Sequence, residues 1–295
     1  MRPVPLEKGD LIAVAAPAGP FNRKRFHHGV FLLKKMGFGM AMRKDITARL
    51  SYLAGDDRRR AAELNEALAS PFSALLFARG GYGCQRIAPL LNASKSRFHP
   101  KIVMGSSDLT VVLIHLWKTY GLPSYYGPMV APHLTEPKTV RRVGRALTDP
   151  GFFDRQPIVA KAALKGGTAA GTLVGGCLSL VIATLGTPWE LDTRGKILFL
   201  EDTNEEPYAV DRMLTQLEQA GKLKGVKGLV FGTFKQGKTL FPASIRRVLR
   251  EKLKKFKGPI LWGVRFGHCK DPLIIPFGGV GRIRGNRLVI TRGIF

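Results

Sequence analysis

The chain predicts an α/β protein: an N-terminal parallel-sheet β-α-β domain followed by a second, C-terminal α/β domain. Three observations lead there. Short apolar runs alternate with segments of helical period through the first half. Glycine-rich turns follow two of those runs, at Arg79-Gly80-Gly81 and Gly105-Ser106-Ser107. Between the halves lies a polar, basic stretch carrying Pro137, Pro150 and Pro157. With 295 residues, 45% of them hydrophobic, the chain can bury two cores of ordinary domain size.

In order, Leu11 to Ala16 reads as a strand, Phe26 to Met36 and Ala61 to Ala69 as helices, and Ala74 to Ala78 as a strand. Ile102, Val103 and Met104 form a further short strand, and Leu109, Leu113, Leu116 and Trp117 recur at helical spacing after it. This rhythm implies a parallel sheet covered by helices, with chemistry available at the carboxyl ends of the strands. We assign residues 1–135 to the first domain, 136–165 to a connection and 166–295 to the second domain. The second domain opens on a small-residue run, Gly166 to Gly186. It then shows strands around Ile197 to Leu200 and Leu229 to Phe231, and helices around Val210 to Ala220 and Ser244 to Phe256.

Several function classes are disfavoured. The apolar stretch Leu11 to Ala18 is flanked by Glu7 and Asp10 on one side and Arg23, Lys24 and Arg25 on the other, which suits a buried strand rather than a signal peptide. Gly171 to Leu185 is too short to span a bilayer, so no membrane partner is expected and cytoplasmic residence is the simplest reading. Cys84, Cys177 and Cys269 form no C-x-x-C pair, and His27, His28, His99, His115 and His133 show no metal-binding spacing. No metal and no cofactor are expected. The formal charge of +26 raises the prospect of polyanion binding, but the charges are spread. Arg58-Arg59-Arg60 reads as a solvated helix end, and the basic residues of 246–255 fall mostly on the polar side of a helix, so specific nucleic-acid binding is not expected.

Three segments carry candidate chemistry. Gly105-Ser106-Ser107-Asp108 places a serine at a helix start, where unpaired backbone N–H groups and the helix dipole face any oxyanion. Ser and Asp at such a place also serve as helix caps. Glu201 ends the strand Lys196 to Leu200, and His268 lies in Phe266-Gly267-His268. A serine hydroxyl needs a base and a third group that orients it, and the chain supplies one of each. Cys269 beside His268 is a rival nucleophile, although sequence neighbours rarely face each other. Arg79-Gly80-Gly81-Tyr82-Gly83 lacks the phosphate-loop and dinucleotide spacings and reads as a tight turn that brings backbone close to a ligand.

The order of these motifs resembles the murein LD-carboxypeptidase family, whose members include the microcin C self-immunity peptidases. The likeness runs from Gly9-Asp10-Leu11-Ile12-Ala13-Val14-Ala15-Ala16-Pro17 through Arg79-Gly80-Gly81-Tyr82-Gly83, Gly105 to Thr110 and Tyr126-Gly127-Pro128-Met129. It continues in Gly175-Gly176-Cys177-Leu178-Ser179, Leu198 to Asp202, Asp211 to Leu214, and Gly267-His268 with Pro276-Phe277-Gly278. The resemblance implies a flavodoxin- or glutamine-amidotransferase-like first domain and a serine carboxypeptidase acting on a murein-derived peptide, releasing its terminal D-Ala. It also implies a homodimer and a triad of Ser107, Glu201 and His268, with Ser107 rather than Ser106 as nucleophile. Backbone N–H groups of Gly81 and Asp108 are then the oxyanion donors, and Arg79 and Tyr82 are candidate substrate contacts. One departure is Cys177, where the family usually has Asn. Two alternatives stand beside this reading: a microcin-immunity-like peptidase cleaving peptidyl or aminoacyl nucleotides, and a non-catalytic binder of anionic polymer.

Overall fold

The computed structural model describes residues 2–92, 99–153 and 157–295. The chain divides into two compact units, one formed by Met1–Phe152 with Ile294–Phe295 and the other by Phe153–Gly293.

The first unit contains β1 (Leu11–Ala15), α1 (Arg23–Lys35), β2 (Gly39–Ala41), α2 (Asp57–Ala69), β3 (Ala74–Phe77), α3 (Cys84–Ile87), β4 (Ile102–Gly105), α4 (Thr110–Tyr120), β5 (Ser124–Tyr126), α5 (Val130–His133) and α6 (Pro137–Thr148). Its strands lie in the order β5-β4-β3-β1-β2, all parallel. Strands covered on both faces should be apolar throughout, and every residue of β3 and β4 is buried. Because the strands are parallel, the loops after β1, β3 and β4 leave the same end of the sheet, which sets Ala16–Asn22, Ala78–Gly83 and Ser106 on one rim. Asn22 and Asp56 cap α1 and α2, their side-chain oxygens accepting the N–H groups of Arg25 and Arg59 at 3.0 and 2.7 Å.

Two expectations change here. The stretch 136–165 is no connection: α6 occupies Pro137–Thr148, β6 (Ile158–Val159) and β7 (Ala162–Lys165) belong to the second unit, and the units divide between Phe152 and Phe153. Residues 154–156 of that stretch lie outside the described residues. The helix is amphipathic, burying Thr139, Val143, Ala146 and Leu147 while Arg141 and Arg145 face solvent, so the basic composition conceals a real helical period. Second, α2 begins at Asp57 rather than Ala61, and Arg60 is completely buried instead of lying on a solvated end.

The second unit continues with β8 (Thr168–Cys177), α7 (Leu178–Ala183), β9 (Ile197–Thr203), α8 (Pro207–Gln219), β10 (Gly228–Gln236), β11 (Thr239–Leu240), α9 (Ala243–Lys252), β12 (Ile260–Trp262), β13 (Ile275–Phe277), β14 (Val280–Arg284) and β15 (Arg287–Arg292). Its sheet runs β6-β15-β14-β8-β9-β10-β12-β7, with β11 on β10. The centre, β8-β9-β10-β12, is parallel and the flanks are antiparallel. The parallel centre is where buried strands can carry polar residues to a shared rim: β9 carries Glu201 and Asp202 just before its last residue, Thr203, and Glu201 is in register with Cys177 at the end of β8. Among the described residues, no helix is long and apolar enough to cross a membrane.

Candidate active site

In the first unit, β4 delivers the chain to Ser106, which is extended, and then to Ser107, whose φ of 62° is left-handed. Few residues other than glycine adopt that conformation, and it costs free energy unless the surroundings fix it. Here they do. The Ser107 N–H donates to the Tyr126 hydroxyl at 3.1 Å, and the Thr110 hydroxyl donates to the Ser107 carbonyl at 2.7 Å. A short 3₁₀ turn, Ser107–Leu109, then leads into α4. For Ser106 and Asp108 the capping alternative does not hold in its simple form. Ser106 makes no side-chain cap bond, and the Asp108 carboxylate instead accepts the N–H of Cys84 at 2.8 Å.

The glycine turn of 79–83 lies directly against Ser107. A Cβ on Gly80 would come within 2.9 Å of the Ser107 Cβ, 3.0 Å of its Oγ and 3.4 Å of the Asp108 nitrogen. Only glycine fits there. The Gly80 carbonyl accepts the Gly19 N–H at 3.0 Å, so the trans peptide turns the Gly81 N–H away from Gly19. Arg79 is exposed, and its guanidinium donates to the Pro20 carbonyl at 2.6 Å. Tyr82 is 48% exposed and meets Tyr52 edge-on.

In the second unit, β9 places two buried carboxylates side by side in sequence, and strand alternation turns them to opposite faces. Glu201 takes the histidine. Its Oε2 accepts the backbone N–H of His268 at 3.0 Å and hydrogen-bonds the ring Nδ1 at 2.7 Å. With the proton on Nδ1 donated to the carboxylate, Nε2 is left with its lone pair, as a general base requires. Gly267, at φ 84°, makes the approach possible, since a Cβ there would fall 2.2 Å from the Glu201 carboxylate. Burial by itself lowers the His268 pKa, but the charge and hydrogen bond of Glu201 override it and the net shift is upward.

Asp202 turns the other way. It accepts the N–H groups of Ser179 and Thr203, each at 2.8 Å, and the Cys177 thiol at 3.3 Å. Burial, reinforced by repulsion from Glu201, pushes its pKa up to about 6. Cys177 thus offers a donor to Asp202 from its place at the start of α7. The Cys269 thiol is also buried, and burial raises its pKa; a thiol held protonated is a poor nucleophile. Sequence reasoning missed the contact of Tyr126 with Ser107 and the bond from the Cys84 N–H to the Asp108 carboxylate, although both residues belong to the motifs already quoted.

Both halves of the chain match models of one family: residues 12–127 match the LD-carboxypeptidase N-terminal domain, and 170–283 the LD-carboxypeptidase C-terminal domain. The chain belongs to the LD-carboxypeptidase family. A probable murein peptide carboxypeptidase of Bacillus subtilis is 36% identical to it over 288 residues, covering 94% of this chain and 89% of the relative. Among solved structures, the muramoyltetrapeptide carboxypeptidase of Oxalobacter formigenes superposes with a TM-score of 0.81 at 28% identity, over 94% of this chain and 97% of that one. The microcin C7 self-immunity protein MccF of Escherichia coli is 26% identical, covering 93% of this chain and 90% of that protein. The LD-carboxypeptidase assignment spans both units. It therefore takes in the Ser107 turn and the Glu201–His268 pair alike.

Proposed function

We propose that this LD-carboxypeptidase removes the terminal D-alanine of a murein tetrapeptide by serine catalysis, with Ser107, His268 and Glu201 as the triad. The observation that carries the reading is the 2.7 Å bond from Glu201 to His268 Nδ1, which orients the imidazole and leaves Nε2 as the base. His268 takes the Ser107 proton as Oγ attacks the carbonyl between the L-centre of the diamino acid and D-Ala. The N–H groups of Gly81 and Asp108 receive the oxyanion. Collapse of the tetrahedral intermediate breaks the C–N bond as His268 passes its proton to the D-Ala amine, and water then hydrolyses the acyl-enzyme. Glu201 stabilises the imidazolium that exists between the two transfers. Arg79 and Tyr82 complete the proposal as substrate contacts on the exposed side of the glycine turn. Action on peptides recovered from wall turnover, in the cytoplasm and as a homodimer, belongs to the same proposal.

The test is incubation with tetrapeptides differing only in the configuration of the terminal linkage, reading free D-Ala. Release from the L,D-linked peptide and not from the D,D-linked one is the expected result. Release from neither, with cleavage of an aminoacyl-nucleotide conjugate, would transfer the reading to the microcin-immunity type.

A further inference from the structure

We propose that Arg60 and Asp108 act together as positioning residues that set the oxyanion-binding turn, an inference that rests on the Ser107 reading above. The key is one peptide unit, Gly83–Cys84. Its carbonyl oxygen accepts from Arg60 Nη1 at 2.9 Å and its N–H donates to Asp108 Oδ2 at 2.8 Å. A buried cation and a buried carboxylate therefore grip opposite ends of the same amide.

Each partner does more than hold that amide. The Arg60 guanidinium also donates to the carbonyls of Pro17 and, at 3.2 Å, of Gly55, and it pairs with Asp57. It thus ties together the loop after β1, the loop before α2 and the turn after β3. Its planar set of donors suits three carbonyls arriving from different directions, which a lysine could not satisfy together. Gly83, at φ 134°, is fitted to this contact, because a Cβ there would fall 2.4 Å from Arg60 Nη1. Asp108 contributes its backbone N–H to the proposed oxyanion site while its carboxylate anchors the far end of the segment that supplies the other donor, Gly81. Between them, the Gly80 carbonyl is held by Gly19. The turn is fastened at 80–81 and at 83–84, with Gly81 in the fastened stretch.

The cost of this arrangement argues for a task. Burying a carboxylate and a guanidinium is unfavourable unless the geometry is well satisfied, and a neutral group would cap the Cys84 N–H at lower cost. An oxyanion site gains from such rigidity, because its donors act only if they are already in place when charge develops.

The experiment compares Arg60→Met, Asp108→Asn, Ser107→Ala and, as an exposed neighbour on α2, Arg58→Met, in the full chain. Folding is followed by circular dichroism. Arg60→Met should lower kcat by about 10- to 100-fold with KM changed less than about threefold, since the donors matter in the transition state. Affinity for a peptidyl boronic acid, whose adduct on Ser107 is tetrahedral, should fall by a similar factor. Affinity for the tripeptide product should not. Asp108→Asn keeps an acceptor for the Cys84 N–H and loses the charge, so it should show the same pattern, weaker, and it serves if Arg60→Met does not fold. Arg58→Met should match the wild type. Folded Arg60→Met and Asp108→Asn with unchanged kcat and boronate affinity, beside a dead Ser107→Ala, would overturn the clamp alone. An active Ser107→Ala would remove the nucleophile reading and the clamp with it.

Discussion

The contacts made directly to Ser107 come from backbone and neutral groups: a left-handed φ, a tyrosine hydroxyl, a threonine hydroxyl and a glycine packed against the side chain, with the charges of Arg60 and Asp108 one step further out. Around His268 they are made by charge. Glu201 holds both the ring and the backbone N–H of the histidine, and Asp202, on the other face of β9, fixes the start of α7. A nucleophile, the role proposed for Ser107, is useful because of where its oxygen sits, whereas a base, the role proposed for His268, is useful because of the pH at which it can take up a proton. Geometry serves the first and electrostatics the second, so alterations in the two regions should fail differently.

The largest contrast is at the serines. Ser107→Ala should reduce D-Ala release by several powers of ten while leaving the fold intact, and Ser106→Ala should be far milder, because only Ser107 occupies the strained turn. Purified variants assayed side by side decide between them, and a dead Ser106→Ala beside an active Ser107→Ala would reassign the nucleophile.

The next effect is at the adjacent carboxylates. Glu201→Gln should lower kcat by about 10²- to 10⁴-fold, since an amide can present its NH₂ to Nδ1 and favour the wrong tautomer. Asp202→Asn should cost much less in kcat, because Asp202 faces Ser179, Thr203 and Cys177 rather than the imidazole. The reverse ranking, read from kcat, would move the acid of the triad to Asp202.

The smallest expected effects are in pH dependence. His268 must be neutral to act as base, and its pKa is raised above 6.5, so the acid limb of kcat/KM should lie above that value. Removing the Glu201 charge should move the limb to lower pH. For stability, a raised histidine pKa contributes a stabilisation that is full below 6.5 and lost as pH rises through the folded-state value. Asp202, raised from 3.8 to about 6, has the same sign: its contribution is full below 3.8 and lost as pH rises through about 6. Denaturant titrations of Asp202→Asn should therefore show a flatter stability profile between about pH 4 and 6 than the wild type.

Much of this was legible in the sequence because it depends on local pattern. The apolar runs that become β1, β3 and β4 announce buried parallel strands, and alternation along Leu200-Glu201-Asp202 already places the two carboxylates on opposite faces. What was lost is whatever long-range packing decides. The arginines of α6 disguise a helix whose apolar side is buried against the first unit's own core, with the Leu147 carbonyl accepting the Leu6 N–H. Arg60 looks like one of three solvated arginines until the carbonyls of Pro17, Gly55 and Gly83 are seen to converge on it. A charge in a basic run carries no local mark of burial, since its partners come from loops far apart in the chain. The order of the motifs named Glu201 and His268 together, and the structure pairs them; spacing alone could not bring Glu201 to His268, 67 residues away.

The central claim, that Ser107 is the nucleophile, is tested most directly by where an active-site label lands. A fluorophosphonate reacts preferentially with an activated serine, and digestion followed by mass spectrometry locates the adduct. The expected result is a single phosphonylated serine at Ser107, with D-Ala release lost in proportion to labelling and no adduct in His268→Ala. Label on Ser106 with loss of activity, or full peptidase activity in a protein quantitatively labelled at Ser107, would contradict the account.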